Sequence, residues 1–98
     1  MVQRRDQQHY IMAVDQGTTG SAALIFGRDG RVAAWAEREI TQHHPEPGWV
    51  SHDPEEIFRS VLAVSREAMA SAGIEPQQLA AVGITNQRET TVVWDRVT

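Results

Sequence analysis

The sequence predicts an α/β domain with an unfinished sheet. Three features lead there: three short apolar runs between residues 10 and 40, a strongly capped amphipathic helix starting after Asp53, and a further apolar run at residues 80–85. The first run, 10–14, is nearly continuous, as expected of a strand buried on both faces. After a polar loop, 21–26 is a second strand. Arg28-Asp29-Gly30 is a hairpin signal, and 31–40 is a third strand with Val32, Ala34 and Ala36 on one face. These read as an antiparallel meander.

Residues 42–52, with Pro45, Pro47 and Gly48, form a linker in which Trp49 and Val50 are expected to tuck against the domain. The helix then begins with Asp53 as N-cap and Pro54 at the first position. Glu56, three after the cap, is placed to bond back to the cap N–H, and both Glu55 and Glu56 suit the positive end of the helix. Ile57, Phe58, Val61, Leu62, Ala68, Met69 and Ala72 recur at helical spacing as one apolar face, and Gly73 ends the helix. A single helical turn at 75–79 leads to a buried strand at 80–85. A polar loop at 86–89 follows, and then the opening of another strand at 90–94. Trp35, Trp49 and Trp94 are expected to be packing residues.

Composition narrows the function. The chain has 98 residues, 41 % of them hydrophobic, with a formal net charge of -4. That suits one small domain and argues against a nucleic-acid surface. All 9 basic residues are arginine, and there is no cysteine, so thiolate metal sites and a cysteine nucleophile are excluded. Arg4-Arg5 is followed by polar residues, which is not a signal sequence, and no stretch is long enough to span a bilayer. The expectation is a soluble cytoplasmic protein whose residues 1–9 form a disordered tail.

The loop Asp15-Gln16-Gly17-Thr18-Thr19-Gly20-Ser21 is dense in glycine and hydroxyl groups. It has no lysine, which rules out a Walker P-loop, and a strand follows it, which rules out a dinucleotide fingerprint. Gly17 and Gly20 allow close backbone approach, Thr18, Thr19 and Ser21 add hydroxyl donors, and Asp15 ends a strand where its carboxylate suits hydrated Mg²⁺. A plain polar hairpin is the commoner reading of such a loop. Arg88 and Glu89 follow a strand at its C-terminal end, where ligands favour α/β sheets. Their fork of donors and pair of acceptors suits a polyol, although on the residues alone a surface ion pair is the commoner reading. His43, His44 and His52 lack regular ligand spacing for a metal.

Three segments carry a resemblance. DQGTTGS at 15–21 resembles the first phosphate motif of the actin, Hsp70 and sugar-kinase superfamily. The ribonuclease H-like domains of that superfamily open with three antiparallel strands, a helix and a parallel strand. PEPGWVSHDPEEIF at 45–58 is similar to the segment that follows in the FGGY carbohydrate kinases, and GITNQRETTVVWD at 83–95 resembles their glycerol kinase branch. The similarity runs from residue 10 to the end, and the three motifs in this order are highly specific.

The resemblance implies ATP-dependent phosphorylation of glycerol to sn-glycerol 3-phosphate with Mg²⁺. Asp15 would lie beside the metal and phosphates. Thr18, Thr19 and Gly20, with Gly17 shaping the turn, would contact nucleotide phosphate, Thr18 lying nearest the transferred group and the acceptor. Arg88 and Glu89 would bind the polyol.

One departure stands out. The branch commonly has Ser-Ser-Arg where this chain has Gly20-Ser21-Ala22, so either another cation holds the phosphate or affinity is lower. Family members are two-domain proteins whose catalytic aspartate and adenine site lie in later segments. Residues 10–98 are therefore expected to be the first part of an N-terminal domain, without the second domain or a catalytic residue, and inactive alone. A fragment of another FGGY polyol or sugar kinase, or a non-catalytic remnant acting as an interaction module, are the alternatives. Homo-oligomerisation of a full-length enzyme stays open.

Overall fold

The computed structural model describes residues 9–87 and 90–97. Strands β1 (Tyr10–Gln16), β2 (Gly20–Phe26) and β3 (Val32–Glu39) form the meander. Helix α1 (Pro54–Ala72) and a 3₁₀ turn (Pro76–Gln78) lead into β4 (Leu79–Thr85). The sheet order is β3-β2-β1-β4. The pairs β1–β2 and β2–β3 are antiparallel, and β4 lies parallel to β1. The helix thus serves as the crossover that a parallel pair requires.

The strands alternate. On β1, Met12, Val14 and Gln16 are buried, while Ile11 and Asp15 are exposed. The expectation of burial on both faces fails because α1 covers only one side of the sheet. Met12, Val14, Ala23 and Ile25 meet Val64 and Ala68 of the helix and Ile74 beyond it. Beside this cluster, at the start of β2, the buried Ser21 Oγ lies 2.8 Å from Ser60 Oγ. Ser60 already donates to Ile57 O at 2.7 Å, so Ser21 is the donor to Ser60.

The helix begins as expected: the Asp53 carboxylate accepts from Glu55 N–H at 2.9 Å, with Pro54 at the first turn. Glu56 does not bond back to the cap. Its carboxylate instead accepts from Thr41 N–H at 3.2 Å and Thr41 Oγ1 at 2.8 Å, tying the helix start to the end of β3. Gly73 takes the left-handed conformation, φ 69°, that ends the helix without a Cβ penalty. The buried stripe of α1 is Ser60, Val64 and Ala68. Val61, Met69 and Ala72 pack against it, but Phe58 is 64 % exposed and turned away from the core.

Several other expectations do not hold. Trp35, Trp49, Val50 and Trp94 are all mostly exposed rather than packed. The 42–52 linker closes on itself through a bridge between His43 and Ser51, which leaves Trp49 outward. β4 is not buried, because α1 lies over β2 and β3 and does not reach it. Residues 90–94 form no strand, since no neighbouring strand supplies ladder hydrogen bonds among the described residues. Among the described residues, no helix is long and apolar enough to cross a membrane.

Candidate functional site

The polar loop is shorter than the sequence suggests. β1 runs through Gln16 and β2 starts at Gly20, so the turn proper is Gly17-Thr18-Thr19. Gly17 N–H donates to Gly20 O at 2.8 Å. The next three carbonyls are each held by a different donor. Gly17 O accepts from Gln16 Nε2 at 2.8 Å, Thr18 O from Gln42 Nε2 at 2.9 Å, and Thr19 O from Ile40 N–H at 3.0 Å. In a planar trans peptide the N–H points opposite its C=O. Pinning these carbonyls therefore fixes where the N–H groups of Thr18, Thr19 and Gly20 point, which is how a backbone anion nest is built.

Gly20 is set by packing. A Cβ there would lie 2.3 Å from Arg38 O, so β2 approaches β3 too closely for any side chain. A serine, common at this position in the family resembled, would not fit this backbone unchanged.

The turn separates two hollows. Asp15, Gly17, Thr19 and Gly20 line one of about 480 Å³, together with Ala22 and Arg38. Thr18 lines the other, of about 380 Å³, facing His52, Ile57, Gln87 and Thr90. The structure thus groups Asp15, Gly17, Thr19 and Gly20 and sets Thr18 toward the residues after β4. Arg88 and Glu89 lie outside the described residues, as do residues 1–8. Their neighbours are tied to the turn: Gln87 Nε2 lies 3.4 Å from Gln16 Oε1, and Thr90 Oγ1 donates to Gln87 Oε1 at 2.9 Å.

Ala22 sits in register between Asp15 on β1 and Glu37 on β3. Arg38 is the only cation among the described residues lining that hollow, and it is paired with Glu67 of α1. Register puts it opposite the buried Ser21, on the helix side of the sheet. Asp15 is exposed at the strand end. Glu37 and Glu39 line the same hollow, but no three carboxylate or histidine side chains among the described residues converge, so Asp15 beside the amide nest fits Mg²⁺ held partly by water and phosphate oxygens rather than an all-protein cage. Two of the linker histidines are held by hydrogen bonds, His44 Nδ1 with Trp49 O at 3.2 Å and His52 Nε2 with Gln42 Oε1 at 2.8 Å.

Sequence reading missed Gln16, Gln42 and His52. Gln16 was read as part of the loop, and the other two lay in what reads as a linker. Gln42 and Thr18 are 24 positions apart and Gln16 and Gln87 are 71 apart, so no local pattern marks those bonds.

A strand-turn-strand cradle on a three-stranded meander, followed by a crossover helix and a parallel strand, is the opening of a ribonuclease H-like domain of the actin and Hsp70 type. Solved structures agree. The crystal structure of Plasmodium falciparum glycerol kinase with ADP superposes with a TM-score of 0.74 at 29 % identity, over 91 % of this chain and 18 % of that one. Xylulose kinase from Rhodospirillum rubrum gives 0.72 at 28 % identity, over 79 % of this chain and 16 % of that one. Residues 10–98 match the N-terminal domain of the FGGY family of carbohydrate kinases, and the chain belongs to that family. Glycerol kinase of Pseudomonas fluorescens (strain SBW25) is 62 % identical over 91 residues, 93 % of this chain. The chain spans 18 % of that relative's length.

Proposed function

We propose that the protein to which this segment belongs is an ATP-dependent kinase that phosphorylates glycerol to sn-glycerol 3-phosphate, acting in the cytoplasm. The observation that carries the reading is the turn itself: three successive pinned carbonyls, with Thr18 lining one hollow and Asp15, Thr19 and Gly20 the other. A group transferred between a nucleotide and an alcohol must pass between two such compartments. Phosphoryl transfer rests mainly on positioning and charge stabilisation, which a rigid amide nest supplies.

In this reading Thr19 and Gly20, shaped by Gly17, hold nucleotide phosphate. Thr18 faces the transferred group, and Asp15 holds Mg²⁺ through water. The metal would supply positive charge there to offset that of the phosphate oxygens. Arg88 and Glu89 bind the polyol hydroxyls, donating and accepting respectively. Glycerol as acceptor is supported by the 62 % identity to the Pseudomonas fluorescens glycerol kinase. No carboxylate in the 98 residues has a motif match to the catalytic base of the family, and the segment alone is expected to be inactive.

The test is ADP formation by the intact protein with ATP, Mg²⁺ and a panel of polyols and sugars. Glycerol is expected to be the preferred acceptor. Arg88→Ala and Glu89→Gln should each weaken glycerol use by about 100-fold or more, in line with the loss of a charge-assisted contact, while leaving nucleotide binding nearly intact. Preference for a pentulose, or equal damage to both substrates, would contradict the assignment.

A further inference from the structure

We propose that Gln42 is a positioning residue for the phosphate turn and that His52 holds Gln42 in its working orientation; this rests on the kinase reading above. The Gln42 amide is used on both sides. Nε2 donates to Thr18 O at 2.9 Å and to Ile40 O at 3.2 Å, so both of its hydrogens face carbonyls. Oε1 lies 2.8 Å from His52 Nε2. An amide with both N–H groups committed can only accept at its oxygen, so His52 Nε2 carries the proton and donates. A flipped Gln42 would set its oxygen against two carbonyls and lose the bond His52 donates, so the carbonyls and His52 together favour the orientation seen.

The consequence falls on one peptide plane. Thr18 O is the carbonyl of the peptide whose N–H belongs to Thr19. With that carbonyl drawn toward Gln42, the Thr19 N–H is turned to the other side, where Asp15, Thr19 and Gly20 line the larger hollow. The neighbouring carbonyls are fixed by Gln16, which is buried, and by the Ile40 backbone. The middle one depends on a half-buried side chain and a half-buried histidine. Neither Gln42 nor His52 needs to touch nucleotide or polyol to matter.

Because the strut is only half-buried, removing it should change orientation more than stability. The experiment uses the intact protein and measures turnover, glycerol affinity and melting midpoint for five forms: wild type, Gln42→Glu, His52→Ala, His52→Gln, and the double variant Gln42→Glu/His52→Ala. Glutamate keeps the shape of Gln42 and removes both donors. Turnover should fall about 10- to 100-fold in Gln42→Glu, the scale of misplacing a reacting group by part of an ångström, with glycerol affinity and melting midpoint near wild type. His52→Gln should restore most of what His52→Ala loses, since a glutamine amide can donate from the same place. The double variant should be no slower than Gln42→Glu, because both changes break one strut.

Wild-type turnover in Gln42→Glu would overturn the proposal. So would additive losses in the double variant, equal losses in His52→Ala and His52→Gln, or a fall in activity that tracks a fall in melting midpoint. A wild-type protein that transfers no phosphoryl group would overturn the kinase reading and this proposal with it. That outcome is visible before any variant is compared.

Discussion

The two halves of the sheet are built from similar residues and meet different fates. Ile25 on β2 is fully buried under α1, whereas Ile84 on β4 is 74 % exposed. Register places Ile84 beside Val14, and Val14 is itself buried against the helix, so all three share one face. What differs is the cover. The helix lies across β2 and β3 and stops short of β4, leaving Val82 and Ile84 bare. The turn at 17–19 joins β1 to the covered half and is braced by Gln16, Gln42 and the Ile40 backbone just after β3. The residues after β4 follow the uncovered half, and among those described, side-chain bonds such as Gln87 to Gln16 and Thr90 to Gln87 tie them back toward the turn.

The largest effect should come from Ile25→Ala. Truncating a fully buried isoleucine costs about 2–5 kcal/mol, enough to unfold a small domain, whereas Ile84→Ala should stay within about 0.5 kcal/mol. Chemical denaturation of the 98-residue chain and of the intact protein checks both. If Ile84→Ala destabilises the intact protein as strongly as Ile25→Ala while sparing the short chain, the bare half is covered in the whole protein. Equal losses in the short chain would break the comparison.

A smaller effect is expected at the buried hydroxyl pair. Ser60→Ala strands the Ser21 donor in the covered half and should cost about 1–3 kcal/mol. Replacing both serines by alanine should recover most of that loss, because no orphaned donor remains. A double variant as unstable as Ser60→Ala would mean that packing, not hydrogen bonding, sets the site.

Much of this was legible in the sequence because it is written locally. Asp53-Pro54 and Gly73 mark the helix ends through groups within one turn of each end, and Asp29-Gly30 marks a hairpin. Burial was less legible. The run at 80–85 has the composition of a buried strand, but burial depends on what lies above it, and α1 lies elsewhere. Phe58, Trp35 and Trp49 fail for the same reason: apolarity says what a residue favours, not what covers it. In the candidate site, the motif singled out Asp15 through Gly20 as a compact loop between two strands. It gave no hint of the Gln16, Gln42 and His52 bonds, because a glutamine in a linker looks the same whether or not it holds a carbonyl.

The central claim is that the turn at Asp15–Gly20 handles nucleotide phosphate. The most direct measurement compares wild type and Asp15→Asn of the intact protein in glycerol-dependent ADP formation across a Mg²⁺ titration, with glycerol binding followed separately. The account predicts that Asp15→Asn lowers turnover by about 100-fold or more at saturating Mg²⁺ and leaves glycerol binding unchanged, because only the charge facing metal and phosphate is lost. Wild-type turnover and Mg²⁺ dependence in Asp15→Asn would contradict it.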